Sequence, residues 1–154
     1  MTLKKTYALY GSSETGKSST IKKVFEKLKS KYQEFEILDN VHPIYNEDIL
    51  VILKIDHIVI AIESQGDPKS RLFESLPLFV EIKADIIICA TRTKGSTVEL
   101  VEKQKNKYEI IWIKKKKTTT TNYDSDNDLV AEEILTKISK DLEAHQIKSK
   151  ELDV

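Results

Sequence analysis

The chain has little of several things: one cysteine, one tryptophan, three prolines, four glycines and only two arginines in 154 residues. A lone cysteine, Cys89, closes no internal disulfide, and inside the apolar run DIIICA it reads as a small core residue. A chain of this length buries roughly two thirds of its extended surface in one core, so neither disulfide nor structural metal is needed. There is no excess charge of either sign, since 25 basic residues balance 25 acidic ones, and no clear nucleic-acid footprint results. Long hydrophobic runs are also missing. No stretch approaches the roughly 18 apolar residues of a membrane span, and the start MTLKKTYALYG is too short in apolar residues for a signal peptide. A soluble, cytoplasmic protein without membrane partners is expected.

What is present is alternation. Apolar runs exchange with amphipathic segments along the chain, the pattern of β–α units on a mostly parallel sheet, so the expected class is α/β. Thr6–Tyr10 reads as a first strand. Residues 17–31 read as a helix because Ile21, Val24, Phe25 and Leu28 recur at i, i+3, i+4 and i+7. A second strand over 35–39 leads into a polar connection, 41–48, where Pro43 opposes regular structure. The β-branched runs ILVILKI and IVIAIES, separated by Asp56-His57, predict a tight antiparallel hairpin, although the favoured turn glycine is missing. Asp67 and Pro68 have the chemistry to cap and open a helix carrying Leu72, Phe73, Leu76, Phe79 and Val80, which Pro77 should kink or split. DIIICAT is a further strand, Ser96 and Glu99 have capping-box spacing for a short helix, and EIIWIK, 109–114, is the last strand. Residues 114–128 read as a flexible low-complexity loop, and 129–146 as a closing helix with Val130, Ile134, Ile138 and Leu142 inward. No repeat or second domain is visible, so 1–154 is expected to be a single domain.

Two of the four glycines stand five positions apart in GSSETGKSST, between the first strand and the first helix. Residues Gly11, Ser12, Ser13, Glu14, Thr15, Gly16, Lys17 and Ser18 satisfy G-x-x-x-x-G-K-[ST] in the strand-to-helix context that pattern requires. Glycines let successive N–H groups turn inward above the positive end of a helix dipole, which suits phosphate oxygens. Lys17 then reaches the β- and γ-phosphates, Ser18 completes a magnesium shell, and Ser19 lies beside it. Here the chain resembles the P-loop NTPases by their Walker A motif. The resemblance implies a three-layer α/β/α fold, mostly parallel with one antiparallel hairpin strand, and a site for Mg2+ and a nucleoside triphosphate. It leaves the activity open.

Such a site needs a carboxylate at the end of a neighbouring strand. Glu63, closing IVIAIE, fits the apolar-strand-then-acid pattern of Walker B, and Asp67 in ESQGD competes for the same role; Asp39 is a third candidate. Glu63-Ser64-Gln65-Gly66 also resembles the D-x-x-G switch of small GTPases with Glu for Asp, in which Gly66 donates its N–H to a γ-phosphate and Gln65 orients a water. No threonine lies between Tyr32 and Asp48 and no N-K-x-D follows the last strand, so guanine recognition is unsupported and ATP is expected before GTP.

The two arginines, Arg71 and Arg92, are the chain's only bidentate cations. Arg92 follows a strand at the sheet rim where ligands collect, placed to clamp a phosphoryl group or a second substrate; Arg71 lies one helical turn beyond ESQGD. Lys116, Thr118 and Asn122 fall where many P-loop proteins contact the base, but a solvated loop explains a lysine run as well. The expected catalytic set is Lys17, Glu63, Gln65, Asp67 and Arg92, with Ser18, Glu63 and Asp67 toward the metal. Two activities fit: Mg-dependent hydrolysis of a purine triphosphate, or transfer of its γ-phosphate to a small-molecule acceptor held by Arg92, Arg71 and residues 39–48.

Overall fold

The computed structural model describes residues 3–12, 15–41, 48–116 and 123–152. In chain order the elements are β1 (Lys5–Tyr10), α1 (Lys17–Lys31), β2 (Glu36–Val41), β3 (Leu50–Ile55), β4 (Ile58–Glu63), α2 (Leu72–Glu81), β5 (Ile86–Thr91), α3 (Ser96–Glu102), β6 (Glu109–Lys114) and α4 (Tyr123–Leu152). The six strands form one sheet in the order β2-β3-β4-β5-β1-β6. β3 is antiparallel to both its neighbours and every other pair is parallel, so β3 alone runs against the other five.

Side-chain alternation along the strands divides the core in two. Tyr7 and Leu9 of β1, with Ile86 and Ile88 of β5, face α1 and α4, where Ile21, Val24, Leu28, Ile134, Ile138 and Leu142 are buried. Ala8, Ile87 and Cys89 face the other way, onto Leu72, Leu76 and Phe79 of α2 and Val101 of α3. Helices therefore cover both faces of a mostly parallel α/β sheet. Each fully buried Leu or Ile contributes about 1.5–3 kcal/mol, so the sheet centre is the least deformable part of the molecule. Burial pushes the Cys89 thiol up to about 12, which keeps it inert.

Four local expectations are corrected. Asp67 and Pro68 do not open a helix; residues 67–70 form a turn closed by Ser70 N–H to the Asp67 carbonyl (3.1 Å), with Lys69 at φ 61°, and α2 begins at Leu72. Pro77 does not split α2, because the carbonyl deprived of its partner belongs to Phe73, on the solvent-facing side of the helix. Ser96 does not cap α3: the N-cap is Gly95 at φ 95°, with no side-chain bond, and the Thr97 hydroxyl instead accepts the Arg92 N–H at 3.0 Å. The last helix starts at Tyr123 and reaches Leu152, so 123–128 of the expected loop are helical. The hairpin turn works without glycine because Asp56 takes φ 56°, a conformation that short polar side chains tolerate. No helix among the described residues is long and apolar enough to cross a membrane.

Candidate functional site

The C-terminal ends of β1, β4 and β5 and the head of α1 meet on one rim of the sheet. Between them opens a pocket of about 300 Å³, lined by Thr15, Gly16, Lys17, Ser18 and Ser19 from one side and Asp48, Ser64, Gln65, Gly66, Asp67 and Ser70 from the other. Eight of the residues expected from sequence line it. Ser13 and Glu14 lie outside the described residues, as do Thr118 and Asn122.

Both motif glycines are required by their surroundings. Gly16, the α1 N-cap, sits at φ 88°, and a Cβ there would come within 2.6 Å of the Asn127 Oδ1 of α4. At Gly11 a Cβ would stand 2.4 Å from the Lys115 carbonyl at the end of β6. The lysine run is thus not uniformly solvated. Lys115 is 2 % exposed, and its ammonium donates to Asp126 Oδ2 at 2.8 Å, tying β6 to the first turns of α4 behind the loop.

Lys17 is 7 % exposed and reaches back under the loop, donating to the carbonyls of Gly11 (2.8 Å) and Ser12 (2.7 Å). Thr15 also donates to the Ser12 carbonyl, at 3.1 Å. The head of α1 has no side-chain cap and no acid in its first turn, so its positive end faces the pocket. Burial holds the Lys17 ammonium below the usual lysine range; Asp67 partly offsets this, and Arg92 adds to it.

The acids are distributed differently from expectation. Glu63, expected to face the metal, is fully buried and does not line the pocket. Its carboxylate accepts Arg71 Nε (2.7 Å), Arg71 Nη2 (2.8 Å), the Ser75 hydroxyl (2.6 Å) and the Gln65 N–H (3.2 Å). The same bonds, chiefly, raise the Arg71 pKa further. Glu63 and Arg71 form a strut from the end of β4 to the start of α2. Gln65 is anchored too, its Oε1 accepting the Arg71 N–H at 2.9 Å. Asp39 lies on edge strand β2, two strands from β4.

The acid that does meet the loop is Asp48, just before β3. Its Oδ1 accepts both the Ser18 hydroxyl (2.8 Å) and the Ser64 hydroxyl (2.9 Å), and Ser64 Oγ in turn accepts the Ile49 N–H at 2.8 Å. Sequence reasoning passed over Asp48 as the end of a connection, yet the hairpin register held the signal: with Leu50 opposite Glu63, counting outward sets Asp48 opposite Gln65. The second pocket acid, Asp67, pairs with Arg92 Nε at 2.8 Å. Ser18, Asp48 and Asp67 are hard oxygen donors of the kind magnesium takes, alongside water and phosphate oxygens. No group of three or more His, Cys, Asp or Glu able to hold a metal unaided exists among the described residues. No protein-family model, no curated protein and no solved structure matches the chain.

Proposed function

We propose that the chain binds a Mg2+–nucleoside triphosphate, ATP in preference to GTP, and hydrolyses its γ-phosphate, as its resemblance to P-loop NTPases implies. One observation carries the reading. A nearly buried lysine and the uncapped head of a helix open into a pocket whose far wall holds Asp48 and Asp67. Phosphate oxygens take the N–H groups of residues 16–19 and the Lys17 ammonium. A hydroxyl that donates its proton to a carboxylate presents its oxygen to a cation, so Ser18, backed by Asp48, suits the metal. Held by Ser18 with Asp48 behind it, magnesium would neutralise charge on the phosphates. Gln65, its carbonyl fixed by Arg71, keeps its amide nitrogen to orient the attacking water. The water oxygen bonds to γ-phosphorus, the β–γ bridging P–O bond breaks, and the water proton leaves with the phosphate. Transfer to another acceptor is the weaker reading, since Arg71 is spent on Glu63.

A thermal-shift panel with magnesium tests it. Ligand at a hundredfold excess over Kd adds about 2.7 kcal/mol, or roughly 5–10 °C at this chain length. ATP is expected to shift the wild type, Lys17→Ala to lose most of the shift, and phosphate release to proceed without any added acceptor. No shift with any triphosphate overturns the proposal.

A further inference from the structure

A second cleft lies beside the end of β1 and is lined by residues other than those of the pocket. Tyr10, Thr93, Val98 and Trp112 line a space of about 270 Å³ that is more apolar than polar, in contrast to the phosphate pocket. The rings of Tyr10 and Trp112 meet edge to face, with centroids 5.9 Å apart and planes at 82°. Both side chains are half-buried, so each leaves part of its surface to solvent. Tyr7, Phe79 and Tyr108, by contrast, are buried.

Two residues of the cleft are chain neighbours of residues that bond to pocket side chains: the Gly11 carbonyl accepts from Lys17, and Arg92 donates to Asp67. Tyr10 is bonded to Gly11, the first residue of the glycine–lysine loop, and Thr93 directly follows Arg92, the partner of pocket residue Asp67. The pocket opens on the β4 side of β1, whereas Trp112 stands on β6, on the other side. A ligand with a polyanionic tail and a flat head can therefore lie across the end of β1, its tail among N–H groups and its head against rings.

We infer that the Tyr10–Trp112 cleft takes the purine base of the nucleotide whose phosphates occupy the glycine–lysine loop. The inference rests on the phosphate reading above. A base stacked on an aromatic face gains about 1–3 kcal/mol regardless of its hydrogen-bonding pattern, and Val98 and the Thr93 methyl close the slot from the α3 side.

Trp112 is the chain's only tryptophan, so its emission reports on the cleft alone. The probes are Mg–ATP and magnesium with inorganic tripolyphosphate, followed in parallel by thermal shift and Trp112 fluorescence. Both ligands are expected to raise Tm, and only ATP to change the emission. Trp112→Ala should weaken ATP about 5- to 150-fold and leave tripolyphosphate binding unchanged. Val98→Trp, which fills the slot without removing either ring, should do the same, followed by calorimetry. An equal emission change with tripolyphosphate, or equal weakening of both ligands in either variant, overturns the base site while the phosphate reading stands. Failure of both ligands to raise Tm overturns the phosphate reading, and this inference with it.

Discussion

Replacing Arg71 by alanine isolates what the Glu63 strut contributes. In the wild type the Glu63 carboxylate, with no exposed surface, receives two charged hydrogen bonds from Arg71 and one each from the Ser75 hydroxyl and the Gln65 amide. Arg71→Ala removes the counter-charge and leaves a buried carboxylate with two neutral donors. Breaking a buried pair from one side costs about 3–5 kcal/mol. The Arg71 side chain is 19 % exposed, so water enters part of the vacated space and the lower end, about 3 kcal/mol, is expected. At about 2–4 °C per kcal/mol for a chain of this size, Tm falls by about 6–12 °C. Urea denaturation followed by circular dichroism measures the loss, and the double variant Glu63→Met with Arg71→Met should regain most of it, because the uncompensated charge is gone. Glu63→Gln separates strut from metal ligand: magnesium-dependent nucleotide binding should persist with the folded protein. A loss below about 1 kcal/mol for Arg71→Ala, the size of a surface ion pair, refutes the strut. A Glu63→Gln variant that folds normally but no longer responds to magnesium refutes the assignment of the acids.

Three further outcomes follow from the same geometry. Asp48→Asn should raise the magnesium concentration needed for nucleotide binding by about 10- to 100-fold, read by magnesium titration at fixed ATP, with little change for tripolyphosphate offered without metal. Gly16→Ala combines a left-handed φ of 88° with a Cβ 2.6 Å from Asn127 Oδ1; it should destabilise by about 1–3 kcal/mol, and Asn127→Ala in the same chain should restore only the steric part. Because burial lowers the pKa of free Lys17 and a bound phosphate raises it again, binding takes up a proton once the pH exceeds the free-state value. Affinity should then fall with rising pH below the ordinary 10.5, with the proton uptake measured by calorimetry in two buffers of different ionisation enthalpy.

The parts of the molecule that a sequence displays are those held by near neighbours. α1 spans 17–31 as its apolar spacing requires, and β5 is a continuous apolar run because both its faces are covered. The β3–β4 hairpin follows from two β-branched runs two residues apart, and its register put Asp48 within reach of counting. The Glu63–Arg71 pair was hidden for a different reason. An acid after a strand looks the same whether it points over the rim toward a ligand or under it toward a helix; only the entry path of α2 decides, and the turn at 67–70 set that path. The start of α4 was hidden because Asp126 and Asn127 look like loop residues until Lys115 and Gly16 are brought against them.

Lys17 joins the fold to the chemistry. An ammonium has three N–H donors, and two are used on the Gly11 and Ser12 carbonyls. Those bonds tie down two loop carbonyls, so the side chain proposed to meet the phosphate also shapes the loop around it. Among the described residues the third donor has no partner, and in the proposed reading it would take a phosphate oxygen. The loop is braced from behind by the Lys115 carbonyl and Asn127, and across the pocket by Asp48. The pocket carries Lys17 against Asp48 and Asp67, and Arg92 pairs with Asp67 from beside it. In the proposed reading, Asp48 and Asp67 would oppose a polyanion offered alone, and a divalent cation accompanying it would relieve that repulsion. The proposed magnesium dependence would then follow from where Lys17, Arg92, Asp48 and Asp67 stand, since among the described residues no group of three or more His, Cys, Asp or Glu could hold a metal alone.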